Sequence, residues 1–145
     1  HGESTLTLAT ADHEGPWSAP VYYVFLKGRF FFFSSPQSLH IRHILEHGQA
    51  AASIFYQADS WQSIRGLQMR GVVERVQSVA LSLKPIAAYL KRFPFTRNFF
   101  PETRSPNLYD FRSRFKAQLY HFLPTSVYYS DNRFGFGTRE RIDWH

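Results

Sequence analysis

The sequence predicts a mainly β domain: a small closed or partly open antiparallel barrel with two or three short helices set against it. Three observations lead there. The aromatic share is 18% with only three Trp, so the excess lies in Phe and Tyr, residues that suit strands and broad apolar contacts. Apolar residues recur at period two through several segments. Taken in order, the segments read β-β-β-α-β-β-α-β, six mostly antiparallel strands with helices laid on them.

Each element has its own signal. Thr5 to Ala11 alternates Leu6 and Leu8 with small residues, and Asp12-His13-Glu14-Gly15 is a turn. Pro16 to Leu26 is a second strand, in which Pro20 demands an edge, a bulge or a ligand-facing position. Lys27-Gly28 is a tight hairpin turn. Arg29 to Ser34 is the third strand, and its four consecutive Phe (Phe30 to Phe33) require cover on both faces, from the core on one side and a helix or a second subunit on the other. A helix follows from about Pro36 or Ser38 to His47, closed by Gly48, with an apolar stripe of Ile41, Ile44 and Leu45. Gln49 to Gln57 and Ser63 to Gln77 are the fourth and fifth strands, the latter kinked or bulged at Gly66 or Gly71. Ser82 to Arg92 is helical, with Pro85 in its first turn. Phe93 to Asn107 is an irregular or short-helical excursion. Phe115 to Ser130 is the sixth strand, and Asp131 to Gly137 is turn-rich.

The 145 residues are enough for one domain with its own core, spanning 1–145. No run approaches the length of a membrane-spanning helix and no secretory leader is visible. The chain opens at His1 with strand-like sequence from Thr5, so a missing N-terminal segment is expected. Cysteine is absent, which excludes disulfides and thiolate chemistry and is compatible with the expected cytoplasmic location. The net charge of +6 is scattered along the chain, which favours a soluble basic surface, then an anionic small ligand, over nucleic acid.

Three groups of residues can carry chemistry. Ser34-Ser35-Pro36-Gln37-Ser38, between a strand and a helix, reads either as a plain N-cap or as an anion site built on the helix amides. His40, His43 and His47 share a narrow arc turned away from the apolar stripe; solvent or interface positions suit them better than a metal, since no Cys or paired carboxylate joins them. Arg65 to Gly71 alternates so that Gly66, Gln68 and Arg70 share one face, either lining a polar ligand with glycine admitting a flat ring, or forming an exposed polar surface. Nucleophile elbow, phosphate-binding loop and dinucleotide fingerprint are all absent. No catalytic side chain is assigned, and any reaction would rest on a cofactor.

TLATADHEGPWSAPVYYVFLKGRFFFFSSPQSLHIRHILEHGQAAASIF resembles the opening half of FMN-binding split barrels related to pyridoxamine 5′-phosphate oxidase. The shared pattern is LAT-x-D-x-x-G-x-P, a Pro-Val-aromatic strand, an aromatic strand ending in Ser or Thr, and a short helix. IRGLQMRGVVERV and the closing YYSDNRFGFGTRERIDW are similar to a small bacterial subgroup with a terminal DN-x-x-GFG segment. The resemblance implies a six-stranded split barrel, a homodimer, and FMN in clefts between subunits. It places Ser18, Ala19, Pro20, Val21 and Tyr22 along the isoalloxazine, and Ser34 and Ser35 at the phosphate. Leu39 and His40 fall where relatives often carry Arg-Lys as a phosphate clamp, with Arg42 as the substitute cation; Gly66 and Gln68 complete the set. It implies a flavin-dependent oxidoreductase acting on a nicotinamide or small organic substrate. The alternative is a non-catalytic protein that binds FMN, haem or another flat anionic ligand.

Overall fold

The computed structural model describes residues 2–103 and 105–144. Strand β1 (Thr5–Asp12) turns through Gly15 at φ 125° into β2 (Gly15–Leu26). Lys27 and Gly28, at φ 49° and 74°, return the chain into β3 (Arg29–Ser34). Positive φ at both central positions gives the turn the twist that a two-residue hairpin needs. Helix α1 (Leu39–His47) follows, ended by Gly48 at φ 68°, then β4 (Gln49–Phe55) and β5 (Arg65–Arg75). Helices α2 (Val79–Arg92) and α3 (Leu108–Phe115) flank a 3-10 segment at Pro94–Phe99. The chain closes with β6 (Gln118–Asp131) and β7 (Arg139–Ile142).

The strands hydrogen-bond in the order β3-β2-β1-β4-β5-β6-β7, and an additional β3–β6 pairing closes the first six into a barrel. Strand β6 is shared: Gln118 to Phe122 pair with β3, and Val127 to Ser130 pair with β7. The β5–β6 register shifts between Arg70 and Gly71. A Cβ on Gly71 would lie 2.3 Å from the Leu123 carbonyl oxygen, so only glycine fits the bulge.

The phenylalanine run is divided by the pleat, which sends alternate side chains to opposite faces. Phe30 and Phe32 enter the barrel core with Leu6, Leu8, Ile41 and Phe122. Phe31 and Phe33 face a second core under α2 and α3, where Phe33 stacks on Phe111 with centroids 4.0 Å apart. Each buried Phe contributes about 1.5–3 kcal/mol.

Several expectations need correction. The barrel has its six strands, but β7 adds a seventh at the edge. Helix α3 occupies 108–115, where no helix was expected, and takes in Phe115, expected to start the sixth strand; the excursion from Phe93 to Asn107 holds the short 3-10 helix Pro94–Phe99. Helix α2 begins a turn earlier than expected, capped by Ser78, whose hydroxyl accepts from the Leu81 N–H; Pro85 therefore lies inside the helix. In α1 the buried arc is Ile41, Ile44, His40 and His43, while Leu45 is 67% exposed. The apolar stripe and the exposed histidines were thus partly exchanged. Among the described residues no helix is long and apolar enough to cross a membrane.

Candidate cofactor site

The site grows from a split in the barrel wall. Strands β2 and β3 pair only from Tyr23–Phe32 to Leu26–Arg29, whereas β2 pairs with β1 from Gly15 to Tyr22. Over Gly15 to Tyr22, the side of β2 away from β1 therefore has no partner strand among the described residues. The Tyr23 N–H donates to the Ser4 carbonyl on the β1 side. Alternation then turns the main-chain polar groups of Ser18, Pro20 and Tyr22 toward the open side. Pro20 sits where its missing N–H breaks no ladder bond, as its edge reading required. The side chains of Ser18, Pro20 and Tyr22 are exposed, while Ala19 and Val21 are buried. Tyr22 meets Phe93 and Phe95 edge-on at 5.2 and 6.0 Å, so the segment after α2 borders the same opening.

The far side of the split is the end of β3 and the start of α1. Ser34 Oγ lies 2.7 Å from His40 Nε2 and 3.3 Å from Ser38 Oγ, and Ser38 Oγ lies 3.3 Å from the same nitrogen. The Ser38 hydroxyl donates to the Ser35 carbonyl at 2.7 Å instead of capping the helix. Ser35 Oγ accepts from the Gln37 N–H at 3.2 Å and shapes the turn. The amides of Leu39, His40 and Ile41 are consequently left without an acceptor among the described residues. An uncapped helix start between hydroxyls is a cradle for an anion. Burial, with nearby His43 second, holds the His40 imidazole below its usual value and so neutral at pH 7. Arg42 lies exposed one turn above Ser38, and helical side chains lean toward the N-terminus.

Behind the cradle, α1 is fixed to β1 by a buried contact that sequence reading missed. Thr10 Oγ1 and His43 Nδ1 are 2.9 Å apart, both residues being buried. His43 Nε2 stands 3.2 Å from Asp12 Oδ2, close enough for charge attraction but out of line for a hydrogen bond. The Glu14 N–H, with His43 a weaker influence, lowers the Asp12 carboxyl. Thr10 and His43 are 33 positions apart, and no local pattern joins them.

The remaining predicted residues lie elsewhere in the protomer. Gln68 pairs across to Ser53, Ser53 to Thr7, and Thr7 to Pro20. Three strand spacings put Gln68 roughly 14 Å from Pro20. Strand β4 approaches Gly66 closely: a Cβ there would meet the Ile54 carbonyl at 2.6 Å. Ser18 to Tyr22 thus line the unpaired edge of β2, and Ser34, Ser35 and His40 lie where β3 has left its pairing with β2, while Gln68 and Gly66 stand apart on β5.

A six-stranded antiparallel ring with a gap between β2 and β3 and helices laid on it defines the split-barrel class. The sequence model of the Pyridoxamine 5′-phosphate oxidase family matches residues 1–105, and the chain belongs to that family. No curated protein matches. Among solved structures, a haem binding protein from Mycobacterium smegmatis superposes with a TM-score of 0.71 at 20% identity, covering 98% of this chain and 53% of that one. The chain therefore spans about half the length of that protein. HutZ, the haem storage protein of Vibrio cholerae, gives a TM-score of 0.67 at 19% identity over 87% of this chain and 85% of its own. A FAD-binding protein from Mesorhizobium loti gives 0.64 at 14% identity, with 97% and 86% covered. At these identities the likeness is one of fold.

Proposed function

We propose that the chain is an FMN-binding protein, one subunit of a homodimer, acting as a flavin-dependent oxidoreductase. The reading is supported by two unsatisfied backbone surfaces that flank the β2–β3 split: the open β2 edge and the uncapped start of α1. The residues present fit the cofactor. Ser34, Ser38 and the amides of Leu39 to Ile41 would hold the phosphate, and a phosphate there would favour the protonated form of His40. Open main-chain donors and acceptors at Ser18, Pro20 and Tyr22 would lie along the ring. FMN, when bound, supplies hydride and electron transfer between a nicotinamide or small organic substrate and an acceptor. The chain's own residues then bind, orient and exclude water.

The dimer is supported by the outer face of β1, β4 and β5, which no helix among the described residues covers. Ala9, Ala11 and Ala51 leave it flat, with Phe55 and Tyr128 exposed beside them. Gln68 and Gly66 lie on this side of the barrel and would join a notch only across a subunit interface.

A second reading has support too. Among the described residues the notch contains no carboxylate–histidine pair suited to acid–base work, and binding without turnover, of FMN or haem, would use the same surface. Two of the similar structures are haem proteins by name; here His40 is the histidine at the notch, since His43 is enclosed with Thr10.

Titration of the purified protein with FMN separates these. Flavin fluorescence should change saturably, and NADH or NADPH should bleach the bound chromophore. Binding without bleaching supports the second reading, and a Soret band on adding haemin would identify haem. No fluorescence change and no Soret band would overturn both.

A further inference from the structure

We propose that the open end of the barrel, opposite α1, is a second ligand site built for a flat aromatic monocarboxylate. A cavity of about 630 Å³ opens there, within the range of small-molecule sites. One wall is aromatic and preformed: Phe30 and Trp144 lie nearly parallel with centroids 5.9 Å apart, and Phe25 meets Trp144 edge-on at 5.6 Å. Trp144 is held by its Nε1–H, which donates to the Gly28 carbonyl at 2.8 Å. A planar ring entering this space finds offset and edge-on partners already in place.

The rim supplies one uncommitted cation. The Arg65 guanidinium stacks 3.9 Å above the Tyr56 ring, which leaves its in-plane donors free. Asp131 is its cross-strand neighbour and the obvious counter-ion. That carboxylate is instead held by Arg133 Nη2 at 2.6 Å and by the Tyr129 hydroxyl at 2.6 Å. Arg65 therefore has no side-chain hydrogen bond or ion pair among the described residues, although it lines the cavity. Arg92, also on the rim, donates to the Tyr23 and Glu3 carbonyls and holds the start of the chain against α2. With Glu3 at the same rim, the two arginines leave one net positive charge. A planar fork of donors matches one carboxylate two-fold, and an aromatic wall matches one ring. Together they select an aryl monocarboxylate over a dianion or an uncharged ring.

The site is distinct from the cofactor notch. Phe30 and Ser34 lie at opposite ends of β3, roughly 13 Å apart by strand rise, and neither Ser34, Ser38 nor His40 lines the cavity. Gly66, counted with the cofactor residues by sequence, lines this cavity.

Isothermal titration of the full chain with 2-naphthoate and with uncharged 2-naphthamide tests the proposal. Naphthoate should bind saturably at one site per chain. Arg65→Gln, with an unchanged far-ultraviolet spectrum, should weaken naphthoate about tenfold while leaving naphthamide within about twofold. Ser34→Ala should leave both probes unaffected. Absence of saturable naphthoate heat, equal loss of both probes in Arg65→Gln, or loss of naphthoate in Ser34→Ala would each overturn the proposal.

Discussion

Thr10→Val isolates the contact that seats α1. The substitution keeps the shape and β-branching of the side chain and removes only the hydroxyl. His43 is 3% exposed and Thr10 6%, so water cannot replace the lost 2.9 Å bond. His43 Nε2 already lacks a well-aligned partner, and the variant leaves the whole imidazole without a hydrogen bond. An unsatisfied buried group of this kind costs about 1–3 kcal/mol. We expect about 2 kcal/mol, a fall in Tm of roughly 4–8 °C for a chain of this size. Thr10→Ser, which restores the hydroxyl, should recover most of it. Because α1 carries the anion cradle, FMN affinity should fall with stability in Thr10→Val and return in Thr10→Ser. Calorimetry and flavin fluorescence on the three proteins measure both quantities. A Thr10→Val protein within about 0.5 kcal/mol of wild type would show that the contact does not seat the helix.

Gly71→Ala should be among the most damaging single-methyl changes, costing about 3 kcal/mol, because the added Cβ meets backbone at 2.3 Å on one side and the Phe122 ring at 2.9 Å on the other; urea unfolding checks it, with Gly2→Ala, in open space, as the control. Phe32→Ala should cost about 3–5 kcal/mol, since Phe32 is wholly enclosed in the barrel, and a loss below 1 kcal/mol in chemical denaturation would contradict its place there. Hydrogen bonds from Arg133 hold the Asp131 carboxyl well below its ordinary value of 3.8. Its folded pKa is depressed, so its stabilising contribution is present above that ordinary value and fades as pH falls below it. Asp131→Asn should therefore flatten the acid limb of the stability profile, measured as the urea midpoint from pH 5 downward, and an unchanged limb would refute the assignment. Ser34→Ala should weaken FMN about tenfold through loss of a phosphate-facing hydroxyl, read by equilibrium fluorescence titration.

Much of the fold was legible because β1, β2, β4 and β5 announce themselves by alternation, β3 by its unbroken Phe run, and the turns by punctuation that only a few residues can supply, such as Lys27-Gly28 and Gly48. Helix α3 was hidden because its eight residues bury only Phe111 and show no apolar period, though Asn107 and Asp110 form a reciprocal capping pair that marks its start. Strand β7 is four residues of mixed charge with no buried face to give a period. The helical wheel of α1 placed its histidines together correctly, yet which side faces inward depends on Thr10 and Asp12, residues on another strand. The same limit governed the site. Ser34 and His40 are close in sequence and lie 2.7 Å apart; Gln68 and Gly66 were joined to them by family pattern, and strand spacing separates them within the protomer.

The open edge of β2 has a consequence for the chain before any ligand arrives. Unpaired strand edges recruit strands from other molecules, and proteins blunt them with charge, bulges or proline. Pro20 stands in the middle of this edge with its nitrogen turned outward, so a docking strand would meet a gap in the donor row. The residue that keeps the main chain open on this side is thus also a guard against aggregation.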